Sequence, residues 1–238
     1  MNKVLILGDG LLATELVKQS GAKFVSRTKD GFDITDKKTF YHMTEIYDGV
    51  AQWCPYNVII NAVGCTDTYS TEREKHWNIN YKGVADLVDF CNNWKIKLVH
   101  LSTDYIYANS ISNAKETDVP VHCNNWYGYT KLLGDAHVQL KSNNYLIVRS
   151  AHKPNPFIHK NAWTDQTGNF DYVDIISKKI LHLVDTDQSG IFNMGTSKKT
   201  MYELAKYTKE DVSPITCDEW IPNDVSMNVN KLNEVDNE

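Results

Sequence analysis

Thr103, Tyr127 and Lys131 are the side chains through which this chain could do chemistry on a carbonyl. The segment Leu101-Ser102-Thr103-Asp104-Tyr105 closes an apolar run, and Tyr127-Gly128-Tyr129-Thr130-Lys131 opens a helical one a strand-to-helix distance later. Residues i and i+4 share a helix face, so the ammonium of Lys131 can sit near the phenol of Tyr127. A free phenol has a pKa of about 10, and a nearby cation favours its ionised form. Tyr127 is therefore expected to move towards neutrality, where it hands a proton to a carbonyl oxygen as hydride reaches the carbon. Thr103 would hydrogen-bond and polarise that oxygen, with Ser102 the second candidate for the role. In a chain this rich in Tyr and Lys, about one Tyr-x-x-x-Lys match arises by chance. Tyr202-Glu-Leu-Ala-Lys206 is taken as that accident, because only Tyr127 follows a strand ending in Ser102-Thr103.

Hydride needs a carrier, and the N-terminus offers a place for one. Lys3-Val-Leu-Ile-Leu-Gly8-Asp-Gly10-Leu11-Leu12-Ala13 reads as a strand, a G-x-G-x-x-A turn and the start of a helix. Gly8 permits the tight turn, Gly10 lets a pyrophosphate approach the backbone, and Ala13 lets the helix pack close to the sheet. Amide hydrogens at the helix start, around Leu11 and Leu12, then hold phosphate. About twenty residues on, a site for NAD usually places an acidic residue at the ribose. Here Ser26-Arg27-Thr28-Lys29 puts Arg27 where a 2′-phosphate would pair, which favours NADPH over NADH, with NADH still possible; a solvated loop is the bland alternative.

Short β-rich runs alternate with amphipathic stretches, the pattern of parallel strands joined by crossover helices. Strands are expected near 3–8, 22–27, 57–62, 97–102, 145–149 and 190–194. Helices are expected near 11–20, 37–47, 77–93, 126–141, 171–184 and 199–207. The expected fold is α/β: a Rossmann-like doubly wound parallel sheet with helices on both faces and a small, reduced C-terminal lobe. Residues 1–150 would form the nucleotide-binding core, and 151–238 the remaining core elements plus that substrate-side lobe.

Composition narrows the class further. The 238 residues carry a net charge of −5, against the basic face of a general nucleic-acid binder. No apolar run approaches a membrane span of about 18 residues, and the N-terminus has no signal-peptide pattern. Cys54, Cys65, Cys91, Cys123 and Cys217 are odd in number and lack metal spacing, so free thiols in a reducing cytoplasm are expected. No metal site is expected among the histidines. Helices flanking such a sheet can face solvent or pair, so a homodimer is open.

In this order the segments resemble the dTDP-4-dehydrorhamnose reductase family, a branch of the extended short-chain dehydrogenase/reductases, over most of the chain. Asp33-Ile34-Thr-Asp36 is similar to the family's segment beside the adenine. Val58-Ile-Ile-Asn61-Ala62-Val63 is similar to its groove-lining strand, and Asn78-Ile-Asn80 to the helix start carrying a structural asparagine. Asp165-Gln166-Thr-Gly168 with Tyr172-Val-Asp174, and Asn228-Val-Asn-Lys231-Leu232, resemble later family segments. The resemblance implies NADPH-dependent reduction of the 4-keto group of a nucleotide-linked deoxysugar. Tyr127 would donate the proton, Lys131 would support it and bind the nicotinamide ribose, and Thr103 would hold the carbonyl. It extends the cofactor groove to Asp33, Ile34, Asn61, Ala62, Val63 and Asn80, and the substrate side to Ser102, Asp104, Tyr105 and His152. The chain departs from the family in three ways. Ala13 replaces a third glycine, His152 stands where a Trp is usual, and a helix and a strand are missing between Phe157 and Asp165.

Competing readings remain at this stage. A 4,6-dehydratase needs a second acid after Asp104, where Tyr105 stands. An epimerase-reductase would use His152 with Cys65 or Cys123. A non-catalytic NADP-binding module, resembling the regulatory subunit of methionine adenosyltransferase, would bind cofactor without turnover.

Overall fold

The computed structural model describes residues 3–47, 49–108, 112–118 and 125–236. Strand β1 (Val4–Leu7) is apolar throughout, with Leu5, Ile6 and Leu7 fully buried, as a strand covered on both faces requires. With β2 (Lys23–Val25), β3 (Val58–Asn61), β4 (Lys97–Thr103), β5 (Tyr145–Ser150) and β6 (Gly190–Met194) it forms one parallel sheet, ordered β6-β5-β4-β3-β1-β2. The chain turns back between β1 and β3, and the crevice at the carboxyl ends of those strands is where such sheets bind ligands.

Helices cover both faces. On one side α1 (Leu11–Ser20), α5 (Val173–Asp185) and α7 (Asn230–Asp236) bury Leu12, Leu16, Ile176, Ile180, Leu183 and Leu232 against the sheet. On the other, α3 (Gly83–Trp94) and α4 (Trp126–Lys141) bury Val84, Leu87, Val88, Cys91 and Val138. The doubly wound arrangement is the one expected. A third apolar cluster, with Phe157, Phe170, Met201, Leu204 and Val225, makes the small lobe around α6 (Met201–Lys206). Its helix starts on a reciprocal cap between Thr200 and Glu203. Two core elements beyond residue 150, β6 and α5, lie within the main sheet and its helical cover, as does α7.

Two expectations about elements are corrected, and one helix lay outside them. The stretch 37–47 is not one helix: Lys37–Met43 is a 3-10 turn, and Glu45–Tyr47 pairs antiparallel with Val50–Trp53. Ile46 and Tyr47 favour strand, and Gly49 turns the chain at φ +74°. The helix expected at 77–93 starts earlier, as α2 (Arg73–Trp77), and passes through a π turn over Asn78–Lys82 before α3. Helix α7 had no periodic apolar signal, since Leu232 and Val235 alone face the core.

Candidate active site

The turn after β1 is shaped by Gly8 at φ +106°, a conformation that L side chains rarely adopt, and the Ala62 backbone lies 3.4 Å from where a Cβ would stand. Gly10 caps α1 without a side-chain hydrogen bond, leaving the first-turn amides open, and nothing would obstruct a ligand above it. These are the features a pyrophosphate needs. The turn forms one end of a cleft of about 570 Å³. Gly8, Gly10, Leu11, Leu12, Arg27, Asp33, Ile34, Ala62 and Val63 line it, and at the far end so do Ser102, Thr103, Asp104, Tyr105, Tyr127, Lys131 and His152. Arg27 is largely exposed, and its guanidinium lies 3.5 Å from the Asp33 carboxylate.

Two expected cofactor residues stand behind the cleft wall. Asn61 is buried and accepts the Val63 amide at 3.1 Å. Asn80, also buried, accepts the Cys65 N–H at 2.8 Å and donates to the Cys65 carbonyl at 3.0 Å. Both therefore shape the loop after β3 rather than lining the groove. The π turn projects Asn80 at that loop, and such turns recur at functional sites. Gly134 of α4 sits against the Asn80 carbonyl, where a Cβ would come within 2.6 Å.

At the far end, β4 delivers Thr103 and α4 delivers Tyr127 and Lys131. Asn125 caps α4 by accepting the Gly128 amide at 2.7 Å, which fixes the first turn carrying Tyr127. The Thr103 hydroxyl is near enough to the Tyr127 phenol to draw its pKa down, and it donates to Asp104 at 3.1 Å. Lys131 Nζ donates to the Leu101 carbonyl at 2.6 Å. Burial pushes the phenol up to about 12, against the opposing pull of Thr103. This corrects the expected fall: desolvation, with the charges of Asp104 and Asp135, holds the phenol neutral, while the Lys131 ammonium is turned to Leu101. Burial pushes Lys131 down to about 8, while Asp135 one turn on favours its charge. Asp135 is itself buried and accepts Arg149 Nε at 3.0 Å.

The substrate-side residues also gather. Burial raises Asp104 to about 6, opposed by the Thr103 hydroxyl and the charge of Lys153. Burial, with Lys153 next to it, lowers His152 to about 4. Tyr105 shares a 2.9 Å hydrogen bond with Tyr69, whose ring meets Trp220 edge-on at 4.3 Å. Ser102 Oγ is buried with no partner among the described residues. Tyr202 and Lys206 lie on α6, away from the cleft lining. Cys65 is buried, its Sγ 3.8 Å from His76 Nε2, while Cys123 lies outside the described residues. Lys153, Thr66 and Thr68 line the cleft but carried no motif; the one available signal for Lys153 was its place just past the carboxyl end of a core strand.

Sheet order, turn and crevice define a Rossmann-like protein of the extended short-chain dehydrogenase/reductase class. The sequence model of the RmlD substrate binding domain family matches residues 1–152, and the chain belongs to that family. It is 24% identical over 233 residues to the spore coat polysaccharide biosynthesis protein SpsK of Bacillus subtilis, covering 89% of this chain and 80% of that one. It is 28% identical over 224 residues to the dTDP-4-keto-6-deoxy-D-glucose reductase of Streptomyces niveus, covering 85% and 74%. A hypothetical dTDP-4-dehydrorhamnose reductase from Sulfolobus tokodaii superposes with a TM-score of 0.79 at 24% identity, over 98% of this chain and 94% of the other. The dTDP-4-dehydrorhamnose reductase of Bacillus anthracis, solved with NADP, gives 0.78 at 20% identity, over 98% and 93%.

Proposed function

We propose that this protein reduces the 4-keto group of a nucleotide-linked deoxysugar with NADPH. The observation that carries the reading is that Thr103, Tyr127 and Lys131 line one end of a cleft that begins at the Gly8–Gly10 turn. The family membership and the reductase names of several relatives support the substrate class.

The open amides of α1 and the Gly8 turn fit a dinucleotide's pyrophosphate, and Arg27 is exposed enough to swing from Asp33 to a 2′-phosphate. The bound dihydronicotinamide supplies hydride. Thr103 turns its hydroxyl hydrogen from Asp104 to the ketone oxygen and so polarises the carbonyl. Tyr127, kept protonated by its surroundings, donates its proton as negative charge develops on that oxygen. Lys131 stabilises the phenolate left behind and is within the same cleft to bind a ribose hydroxyl. Asp135, one turn along α4, keeps Lys131 charged enough to do so.

The test follows NADPH absorbance with dTDP-4-keto-6-deoxy-D-glucose and identifies the product. Wild type is expected to turn over, and Tyr127→Phe to lose about 10²- to 10⁴-fold in kcat while still binding NADPH. Tight cofactor binding without turnover on any nucleotide-linked keto sugar would overturn the proposal. For the cofactor choice, Arg27→Ala should weaken NADPH binding and leave NADH binding nearly unchanged; an equal loss for both refutes the role given to Arg27.

A further inference from the structure

Lys153 stands at the substrate end of the cleft and has no part in the proton transfer just described. It follows β5 almost directly, and the pair His152–Lys153 is held by parallel pairing with Asp171–Tyr172, so its backbone is fixed. Its side chain lines the cleft together with Thr103, Asp104, Tyr105 and Tyr127. Among the described residues no hydrogen bond or ion pair engages its ammonium, although the Asp104 carboxylate is near enough to act on its charge. Asp104 is 1% exposed, and among the described residues the one side-chain donor it holds is Thr103. His152 Nδ1, at the same end, is buried and without a partner among the described residues.

The Lys153 ammonium and the buried Asp104 carboxylate line one cleft without pairing with each other, so one ligand group could engage both. Polar groups in such positions are normally satisfied, so the space should receive one that both donates and accepts. An anionic substituent would suit the ammonium and be repelled by the carboxylate. A methyl or methylene would leave the ammonium without a partner and the carboxylate with Thr103 alone. A hydroxyl satisfies both, taking a hydrogen bond from Lys153 and giving its own hydrogen to Asp104.

We propose that Lys153 is a specificity-determining residue that, with Asp104, clasps a hydroxyl of the keto sugar near the reacting carbonyl. The proposal rests on the ketoreductase reading above and deepens it: the substrate keeps a hydroxyl beside the ketone.

The test compares NADPH oxidation on dTDP-4-keto-6-deoxy-D-glucose with that on its 3-deoxy counterpart, using wild type, Lys153→Met and Lys153→Arg, with binding of dTDP alone measured by calorimetry. Sites built to hydrogen-bond a substrate hydroxyl discriminate strongly against analogues that lack it. Wild type is expected to prefer the hydroxylated sugar by at least about 100-fold in kcat/KM. Lys153→Met should bring that ratio below about 10-fold through loss on the hydroxylated sugar, Lys153→Arg should restore part of it, and dTDP binding should be equal in all three. Equal use of both sugars by wild type overturns the clasp, as does a Lys153→Met variant that loses both sugars alike or loses dTDP binding, which would assign Lys153 to the diphosphate. Should Lys153→Met fail to fold, the wild-type ratio and the Lys153→Gln variant decide in the same terms. Turnover on neither sugar overturns the ketoreductase reading and the clasp with it, whereas turnover without discrimination overturns the clasp alone.

Discussion

At the scale of single residues, the cleft is governed by how far burial moves four titratable groups. Lys131, lowered to about 8, should lose its proton within an accessible range. Activity is then expected to fall as pH rises through about 8, and Lys131→Arg, which cannot deprotonate there, should remove that limb from the pH–rate profile. Stability should move the other way. A base whose folded pKa is depressed costs stability below that pKa, and the cost fades as pH climbs from about 8 towards 10.5. Asp104 gives a separate check. Its folded pKa of about 6 lies above the usual 3.8, so the folded state binds more protons between those values and stability declines as pH rises through them. Asp104→Asn should therefore raise Tm at pH 7.5, by an equivalent of up to about 3 kcal/mol. The gain should shrink to little by about pH 3, below the usual 3.8, where the wild-type carboxyl is largely protonated in both states. Thermal melts at the two pH values check it, and an equal gain at both would show that the charge is not the cause.

At the scale of elements, α4 does most of the positioning. Its Asn125 cap sets Tyr127, its next turn sets Lys131, and Gly134 lets it close on the π turn. Gly134→Ala would force a Cβ to within 2.6 Å of the Asn80 carbonyl, so the helix must shift. A loss of about 1–3 kcal/mol in denaturant unfolding is expected, together with a lower kcat. The alternation of short apolar strands and amphipathic helices made the six core strands and α4 legible, because burial on both faces leaves a local signature in composition. The Gly8 turn, Thr103, Tyr127 and Lys131 were legible because each belongs to a short segment. The π turn was not, since it changes the hydrogen-bonding pattern without changing the residue types. Nor was the direction of the Tyr127 shift, which depends on desolvation by residues far apart in sequence, nor Lys153, which belongs to no motif.

At the scale of the whole molecule, the two stretches of chain are interwoven. Strand β6 completes the sheet beside β5, and α5 packs on α1 through Ile176, Ile180 and Leu183. Buried Asn193 of β6 accepts the Tyr107 hydroxyl at 3.1 Å and donates to the Ala114 carbonyl at 2.8 Å. Residues 1–150 alone would leave the apolar face of α1 and the edge of β5 open. That fragment is expected not to give the dispersed amide spectrum of a folded domain, while the full chain unfolds in a single transition. A folded 1–150 fragment that binds NADPH would show that the N-terminal stretch stands on its own.

The extra residue in the helix between Arg73 and Trp94 ties two unrelated requirements together. Ahead of it, Asn80 must meet the loop after β3; behind it, Val84, Leu87, Val88 and Cys91 must meet the sheet. Each residue of a helix advances the azimuth by about 100°. Deleting one position there would restore a regular spiral, yet it would swivel one of the two faces away by that angle. The helix could then keep its hold on the cleft wall or its seat in the core, but not both.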